Sequence, residues 1–247
     1  MLAPITIRYP FRAARRSLAV GEVVDLFGLH ADEPAHSIAE NLVLPIEPQQ
    51  LVLFTGPSGS GKSSIMRAAI QQLNAVDANA LELPDLPLVD ALNGPLVDRL
   101  ALLAAVGLSE ARLLLRTPAE LSDGQRYRFR IAFALHVQPM AIALDEFGAN
   151  LDRMLAKVVS YNLRKLLLRM SRGALCATTH DDIADDLQPD VHVHCFGEGR
   201  VEVQQASVKK KRSPSPMNSG FPQAPEAIGR TSLGGITART TSHLPSA

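Results

Sequence analysis

The feature that most constrains the fold is a short apolar run, residues 51–55, that ends in a glycine-rich turn and leads into a helical stretch, residues 62–73. Glycines let the chain curl so that successive backbone N–H groups converge on phosphate oxygens, and the positive end of the following helix adds to that field. Strand, glycine turn and helix in this order predict a phosphate-binding loop in an α/β domain. The expected phosphate contacts are Gly56, Pro57, Ser58, Gly59, Ser60, Gly61, Lys62, Ser63 and Ser64.

Two residues of this loop have specific expected roles. Lys62 would reach the β- and γ-phosphates of a nucleotide, and Ser63 would supply a hydroxyl oxygen to Mg²⁺. The loop alone does not distinguish kinases, GTPases and ATPases, so the nucleotide chemistry has to be inferred from the rest of the chain.

Alternating strand-like and helix-like segments predict an α/β fold with a mainly parallel sheet flanked by helices. Three predicted helices within residues 88–137 interrupt the alternation and form a small helical insert. A long amphipathic helix is expected at 151–170. The expected strands are 20–29, 51–55, 140–144 and 174–179, with an antiparallel hairpin of 191–196 and 201–204.

The charge is unevenly distributed along a chain whose formal net charge is zero. From Gln204 onward six basic residues face one acid, so this part carries +5 and residues 1–203 carry −5. A mildly acidic body does not indicate a broad nucleic-acid-binding face. We expect a basic arm over 1–19, one domain over 20–204, and a disordered tail over 205–247, which is rich in Ser, Pro, Gly, Thr and Ala.

The compartment is predicted from the cysteines and the apolar runs. Cys176 and Cys195 each lie in a predicted buried strand, as expected for free thiols in a reducing compartment. No uninterrupted apolar run approaches the roughly 18 residues that span a bilayer. We therefore expect a cytoplasmic protein. A transit peptide is the alternative for the arginine-rich start, but Pro4 and Pro10 favour a basic arm.

Two acids follow directly after the apolar segment 140–144. Ligands of open α/β sheets bind at the carboxyl ends of the strands, which is where Asp145 and Glu146 are expected. Asp145 suits an indirect contact with Mg²⁺, through another ligand or through water, and Glu146 suits a general base that polarises an attacking water.

A third motif, Leu-Ser-Asp-Gly-Gln at 121–125, precedes a predicted helix that carries Arg126, Arg128 and Arg130. Ser122 is a good N-cap, and Gly124 would let a phosphate approach the helix end closely. This motif resembles the signature of ABC ATPases. Residues 148–152, which include Asp152, resemble the D-loop of that family, and residues 178–181 resemble its switch-histidine motif.

The resemblance covers about residues 20–204, with five motifs in the family's order. It implies ATP and Mg²⁺ as ligands, ATP hydrolysis, and a head-to-tail homodimer that forms on ATP binding. The resemblance further implies that Ser122, Gly124 and Gln125 of one subunit contact the nucleotide bound by the other. In that arrangement His180 contacts the γ-phosphate and helps to hold the water and Glu146.

The chain departs from the family pattern at three places. Asp123 occupies a position where most members carry glycine. No glutamine lies between Gln72 and Gln125, so the family's Q-loop is not recognisable, and Asp90 is a possible substitute ligand. The aromatic residue that stacks on adenine is also not evident, and Phe27 is the nearest candidate.

These departures bear on three hypotheses for the function of the chain. The signature and the switch-histidine segment resemble those of soluble, non-transporter ABC ATPases, and the missing glutamine also favours this group. Such a protein would act on an unknown macromolecular partner. The alternative is the nucleotide-binding subunit of a transporter, with a modified Q-loop and a membrane permease as partner. A module that only senses ATP is the third, and Glu146 and His180 argue against it. His192 and His194 lack a third metal ligand and are expected on an exposed strand face.

Overall fold

The computed structural model describes residues 2–9, 17–28, 36–137 and 140–206. Within these ranges the strands are β1 (Ile5–Tyr9), β2 (His36–Leu42), β3 (Leu51–Thr55), β4 (Val76–Asp77), β5 (Ala141–Leu144), β6 (Gly173–Ala177), β7 (Val191–Gly197) and β8 (Arg200–Gln205). The helices are α1 (Leu18–Phe27), α2 (Lys62–Leu73), α3 (Leu96–Ala105), α4 (Ala111–Leu114), α5 (Asp123–Val137), α6 (Arg153–Met170) and α7 (Ala184–Leu187).

Six strands form the main sheet in the order β4-β5-β6-β3-β7-β8. The first five run parallel, and β8 closes the sheet as an antiparallel hairpin with β7. Every residue of β3, β5 and β6 is buried, as expected for parallel strands that are covered on both faces. The predicted α/β fold with a mainly parallel sheet is therefore confirmed, and β1 and β2 add a separate antiparallel pair.

The core lies on the two faces of this sheet and follows the two-residue period of the central strand. Leu51 and Leu53 of β3 belong to the larger cluster, which includes residues of α3, α5 and α6. Val52 and Phe54 belong to the other cluster, together with residues of α2, β1 and β2. Because β3, β5 and β6 run parallel, their carboxyl ends lie at the same edge of the sheet. The three predicted nucleotide motifs follow these strand ends.

The predicted strand over 20–29 is wrong, because residues 20–27 lie in helix α1 and Gly28 ends that helix; residue 29 lies outside the described ranges. Ser17 caps its start by accepting a 3.2 Å hydrogen bond from the Val20 amide, and Gly28 ends it in a left-handed conformation with φ 61°. These two capping interactions outweigh the weak strand preference of the valines between them. Residues 5–9, expected in the basic arm, instead form β1; residues 10–16 of that arm lie outside the described ranges.

The helical insert contains α3, α4, a 3₁₀ turn at Pro118–Glu120 and α5. Helix α6 begins at Arg153 because Asp152 acts as its N-cap and accepts a 2.9 Å hydrogen bond from the Leu155 amide. His192 and His194, expected on an exposed face, are half-buried. The Thr55 hydroxyl oxygen lies 3.0 Å from His192 Nε2 and 3.2 Å from His194 Nδ1. No helix among the described residues is long and apolar enough to cross a membrane. The predicted tail lies outside the described ranges from residue 207 onward.

Candidate nucleotide-binding site

A cavity of about 420 Å³ opens at the carboxyl edge of β3, β5 and β6. It brings together the glycine-rich turn after β3, the two acids after β5 and the threonines after β6. The residues that line it are Ile38, Ser58, Gly59, Gly61, Lys62, Ser63, Ser64, Asp145, Glu146, Ala149, Ala177, Thr178 and Thr179. Three segments that are far apart in the sequence therefore share one pocket.

The glycine-rich turn is held closed by its own lysine. Lys62 Nζ donates hydrogen bonds of 2.8 and 2.7 Å to the carbonyl oxygens of Gly56 and Pro57. Burial lowers the pKa of Lys62, and the neighbouring acidic groups Cys195, Asp145 and Asp181 oppose that shift. The ammonium group is thus already at the cavity wall, where a bound phosphate could replace the carbonyl oxygens.

Gly61 is a position where this turn requires a glycine. Its φ of 92° is a left-handed conformation that other residues rarely adopt. A Cβ atom at Gly61 would also overlap the side chain of Ile38 on β2. The close packing of β2 against the turn explains why Ile38 lines the cavity although no sequence motif includes it.

Asp145 organises the acidic side of the cavity. Its Oδ1 accepts a 3.1 Å hydrogen bond from the Ser63 hydroxyl and a 3.0 Å bond from the Glu146 amide. Glu146 is exposed and has φ 54°, a left-handed conformation that is uncommon outside glycine and often found at functional sites. This backbone turn places the Glu146 carboxylate at the cavity wall.

The segment after β6 contributes two threonines directly and the histidine less directly. Thr178 and Thr179 line the cavity. His180 does not line it; its amide donates a 3.1 Å hydrogen bond to the Thr178 hydroxyl, which fixes its backbone beside the pocket. The structure therefore brings His180 next to the site rather than into it.

The signature residues lie at the start of α5. Ser122 and Gln125 form a reciprocal cap, in which the Gln125 amide donates to Ser122 Oγ at 3.3 Å and the Ser122 amide donates to Gln125 Oε1 at 3.1 Å. Asp123 is exposed, and its carboxylate pairs with Arg126 at 3.6 Å. None of the signature residues lines the cavity of its own chain.

Gly124 has an intramolecular role that the sequence did not predict. A Cβ atom at this position would lie 2.9 Å from the Asn150 carbonyl oxygen. Gly124 thus lets the start of α5 pack against the turn between Glu146 and Asp152.

Two side chains next to the cavity were missed by the sequence analysis. Tyr9 lies at the end of β1, half exposed, and its hydroxyl is 3.1 Å from Ser64 Oγ of the phosphate loop. Asn79 follows β4, the strand beside β5, and its Nδ2 donates a long 3.4 Å hydrogen bond to the Asp145 carbonyl oxygen. The only sequence signal for Tyr9 was an aromatic residue at the end of an alternating run, and β4 is too short to give one.

The two candidates that the sequence offered in their place lie elsewhere. Phe27 is 69% exposed on α1, and Asp90 is exposed in the segment between β4 and α3. Neither lines the cavity.

Ser63 and Asp145 fit a magnesium ion. Mg²⁺ takes oxygen ligands and is usually held by one or two protein groups together with water and substrate phosphates. The hydroxyl and carboxylate oxygens of these two residues lie 3.1 Å apart at the cavity wall. No cluster of three or more metal-binding side chains occurs in the described part of the chain, so the nucleotide itself would complete the coordination.

Comparison with known proteins finds relatives that are named as ATP-binding proteins. The chain is 28% identical to the maltose/maltodextrin import ATP-binding protein MalK of Photorhabdus laumondii, over 59% of this chain and 48% of the relative. It is 28% identical to the lipoprotein-releasing system ATP-binding protein LolD 1 of Rhodopirellula baltica, over 64% of this chain and 85% of the relative. The chain thus spans about half of the import protein. No family model matches it.

Solved structures share the fold at lower identity. The dimeric structure of MJ0796, a bacterial ABC transporter cassette, matches 83% of this chain and 97% of its own, with a TM-score of 0.56 and 20% identity. The dimeric post-hydrolysis state of MJ0796 bound to ADP and Pi has a TM-score of 0.55 at the same coverage and identity. The sheet and helices of this chain therefore share the fold of that cassette.

Proposed function

We propose that this chain, an ATPase domain of the ABC type, works as a head-to-tail pair that closes on two ATP molecules, and that it acts on a macromolecular partner outside a membrane transporter. The observation that carries the ATPase chemistry is the cavity, where Lys62, the Ser63–Asp145 pair and Glu146 share one wall. A phosphate-binding loop, a magnesium-binding pair and a general base are the parts that nucleoside triphosphate hydrolysis requires.

Lys62, Ser63, Asp145 and Glu146 have separate roles in the proposed reaction. The backbone amides of the turn and the Lys62 ammonium bind the phosphates, and Ser63 and Asp145 hold Mg²⁺. Mg²⁺ would supply positive charge that neutralises the phosphate oxygens. Glu146 orients a water molecule towards the γ-phosphorus and accepts its proton as the bond to the ADP oxygen breaks. His180, beside the cavity, contacts the γ-phosphate when the nucleotide is bound.

The location of the signature supports the head-to-tail pair. Ser122, Gly124 and Gln125 stand at the start of a helix, where a phosphate is favourably bound, yet they lie outside their own cavity. We infer that they contact the nucleotide held by the partner subunit, with Asp152 and the turn before α6 at the contact between the two subunits. Two of the structural relatives are dimeric, which supports the formation of a pair.

The nature of the partner is inferred from two features of the chain. No glutamine lies between Gln72 and Gln125, so the loop through which transporter subunits of the family couple to a permease is not recognisable. The insert and the segment before it expose apolar side chains, and such groups often mark contacts with another macromolecule. These side chains are Leu86, Leu96, Val97 and Leu115. The buried free thiols of Cys176 and Cys195 suit a reducing cytoplasm.

A transporter subunit is the second candidate, and the relatives favour it. The proteins similar to this chain are named as import and lipoprotein-releasing ATP-binding proteins. In that case the exposed apolar side chains of the insert would contact a membrane permease.

One experiment tests both parts of the proposal. Purified wild-type chain should hydrolyse ATP only with Mg²⁺, and Glu146→Gln should abolish turnover while ATP still binds. The same variant, loaded with ATP and Mg²⁺, is then used as bait in a pull-down with detergent-solubilised and soluble extracts. A soluble protein or nucleic acid retained only with ATP supports the proposed role; a multi-span membrane protein contradicts it in favour of the transporter subunit. Absence of wild-type turnover contradicts the ATPase proposal.

A further inference from the structure

We infer that Arg130 of the signature helix is a positioning residue for the magnesium side of its own ATP site, and that it acts through Asn79. This inference rests on the proposed ATPase function. It assigns to the chain a path of hydrogen bonds from helix α5, through the turn after β4, to Asp145.

Arg130 holds the turn after β4 with one end of its guanidinium group. Nη1 donates to the carbonyl oxygens of Ala78, Asn79 and Leu81 at 3.0, 3.2 and 2.6 Å. Three carbonyl oxygens around one cationic nitrogen form a charge-assisted contact, which is stronger than contacts between neutral groups. The turn is thereby attached to α5, whose start carries the signature.

The other side of the same turn is attached to β4. Asp77 Oδ1 accepts a 2.9 Å hydrogen bond from the Asn79 amide. The backbone of Asn79 is thus fixed from two directions, by Asp77 through its N–H and by Arg130 through its carbonyl oxygen. Its exposed side chain has little other support, so its direction depends on these two contacts.

Asn79 connects the turn to the ATP site. Its Nδ2 donates to the Asp145 carbonyl oxygen at 3.4 Å, while the Asp145 carboxylate accepts from Ser63 and from the Glu146 amide. A shift of the turn would therefore move the support of the residue that holds Mg²⁺ and precedes the general base. Groups that orient metal ligands commonly change metal affinity or activity by about ten- to a hundredfold when removed.

The path lies beside the surface that meets the partner subunit in the proposed dimer. Asn79 and Arg130 line a second cavity of about 330 Å³ together with Asp123 at the start of α5 and Asn150 in the turn before α6. Movement of α5 on contact with the partner's nucleotide would consequently reach Asp145 through Arg130 and Asn79. Closure of one site would thus adjust the magnesium side of the other.

The test uses Arg130→Met, Asn79→Ala and the double variant in Mg²⁺-dependent ATP hydrolysis. We expect each single variant to raise the Mg²⁺ concentration for half-maximal activity and to lower kcat about tenfold. Binding of a fluorescent ATP analogue without Mg²⁺ should stay within about threefold, because neither side chain lines the phosphate loop. The double variant should be no worse than the more severe single variant, since both break one path. Arg130→Lys, which keeps the charge, should recover part of the activity.

The matched control is Arg112→Ala, which removes an exposed arginine of α4 and should behave as wild type. Losses in the double variant that multiply, or an Asn79→Ala variant within twofold of wild type in both kcat and Mg²⁺ requirement, would overturn the inference. If Arg130→Met does not fold, Asn79→Ala alone decides, because its side chain is exposed. Wild-type chain without turnover would instead contradict the proposed function itself.

Discussion

Ser63 Oγ lies 3.1 Å from Asp145 Oδ1, although 82 positions separate the two residues in the chain. Ser63 belongs to the first turn of α2, which follows β3, and Asp145 directly follows β5. In the sheet, β5 is separated from β3 by β6. The sheet order brings them together, and their oxygens form the pair that we propose for Mg²⁺. The Glu146 amide, which also donates to Asp145 Oδ1, ties the proposed base to the same group.

Removal of either member of this pair should affect Mg²⁺ more than ATP. We expect Asp145→Asn and Ser63→Ala to raise the Mg²⁺ requirement for hydrolysis by about tenfold or more. Binding of ATP in the presence of EDTA should change little, since the Lys62 side chain and the turn amides remain. Titration of activity against Mg²⁺, with equilibrium binding in parallel, checks this. An equal loss of ATP binding without Mg²⁺ would contradict the assignment.

Tyr9 should contribute to the binding of the nucleotide base, because it stands at the rim of the phosphate loop with half of its surface exposed. Stacking of a base on an aromatic ring is worth about 1–3 kcal/mol, so Tyr9→Ala should raise KM for ATP about tenfold with little change in kcat. Phe27→Ala serves as the matched control, because Phe27 is exposed on α1 away from the cavity. A larger effect of Phe27→Ala would restore the candidate that the sequence suggested.

Stability should fall in mild acid because of His192. Burial lowers the pKa of His192 to about 4, the neighbouring His194 adds to the shift, and Asp181 opposes it. In the unfolded chain a histidine has a pKa of about 6.5. The unfolded state therefore binds the extra proton between these values, so the contribution is complete above about pH 6.5 and is lost as the pH falls towards about 4.

His192→Gln provides the measurement for this effect. The amide can keep a hydrogen bond to the Thr55 hydroxyl but does not titrate. Urea unfolding at a series of pH values should show a weaker decline between pH 6.5 and 4 in the variant than in the wild type. Parallel declines in the two proteins would mean that folding does not lower the pKa of His192.

Much of the site was predictable because each motif is local. The glycine turn, the two acids after β5 and the N-cap Ser122 depend on neighbouring residues, so local spacing was enough to predict them. The fold class followed in the same way from alternating strands and helices.

Other features depend on distant contacts and could not be read from the sequence. Asn79 is functional only because the two-residue strand β4 pairs with β5, and nothing in its own segment indicates that pairing. Tyr9 reaches Ser64 because β1 pairs with β2 rather than extending as an arm. Helix α1 was mistaken for a strand because its valines favour strands, whereas its caps, Ser17 and Gly28, lie at the ends of the segment.

The head-to-tail pair is tested most directly by mixing two inactive variants. Lys62→Ala disables the phosphate loop, and Ser122→Arg blocks the signature, so every site of either homodimer contains one defect. In a mixed dimer one site combines the intact loop of one subunit with the intact signature of the other.

We predict that each variant alone is inactive and that an equal mixture recovers about a quarter of wild-type turnover, because half of the dimers would carry one working site of two. Mixing Lys62→Ala with Glu146→Gln serves as the control. Each variant carries its defect in its own cavity, so both sites of the mixed dimer remain incomplete. A mixture of Lys62→Ala and Ser122→Arg that stays as inactive as its components would contradict the head-to-tail arrangement.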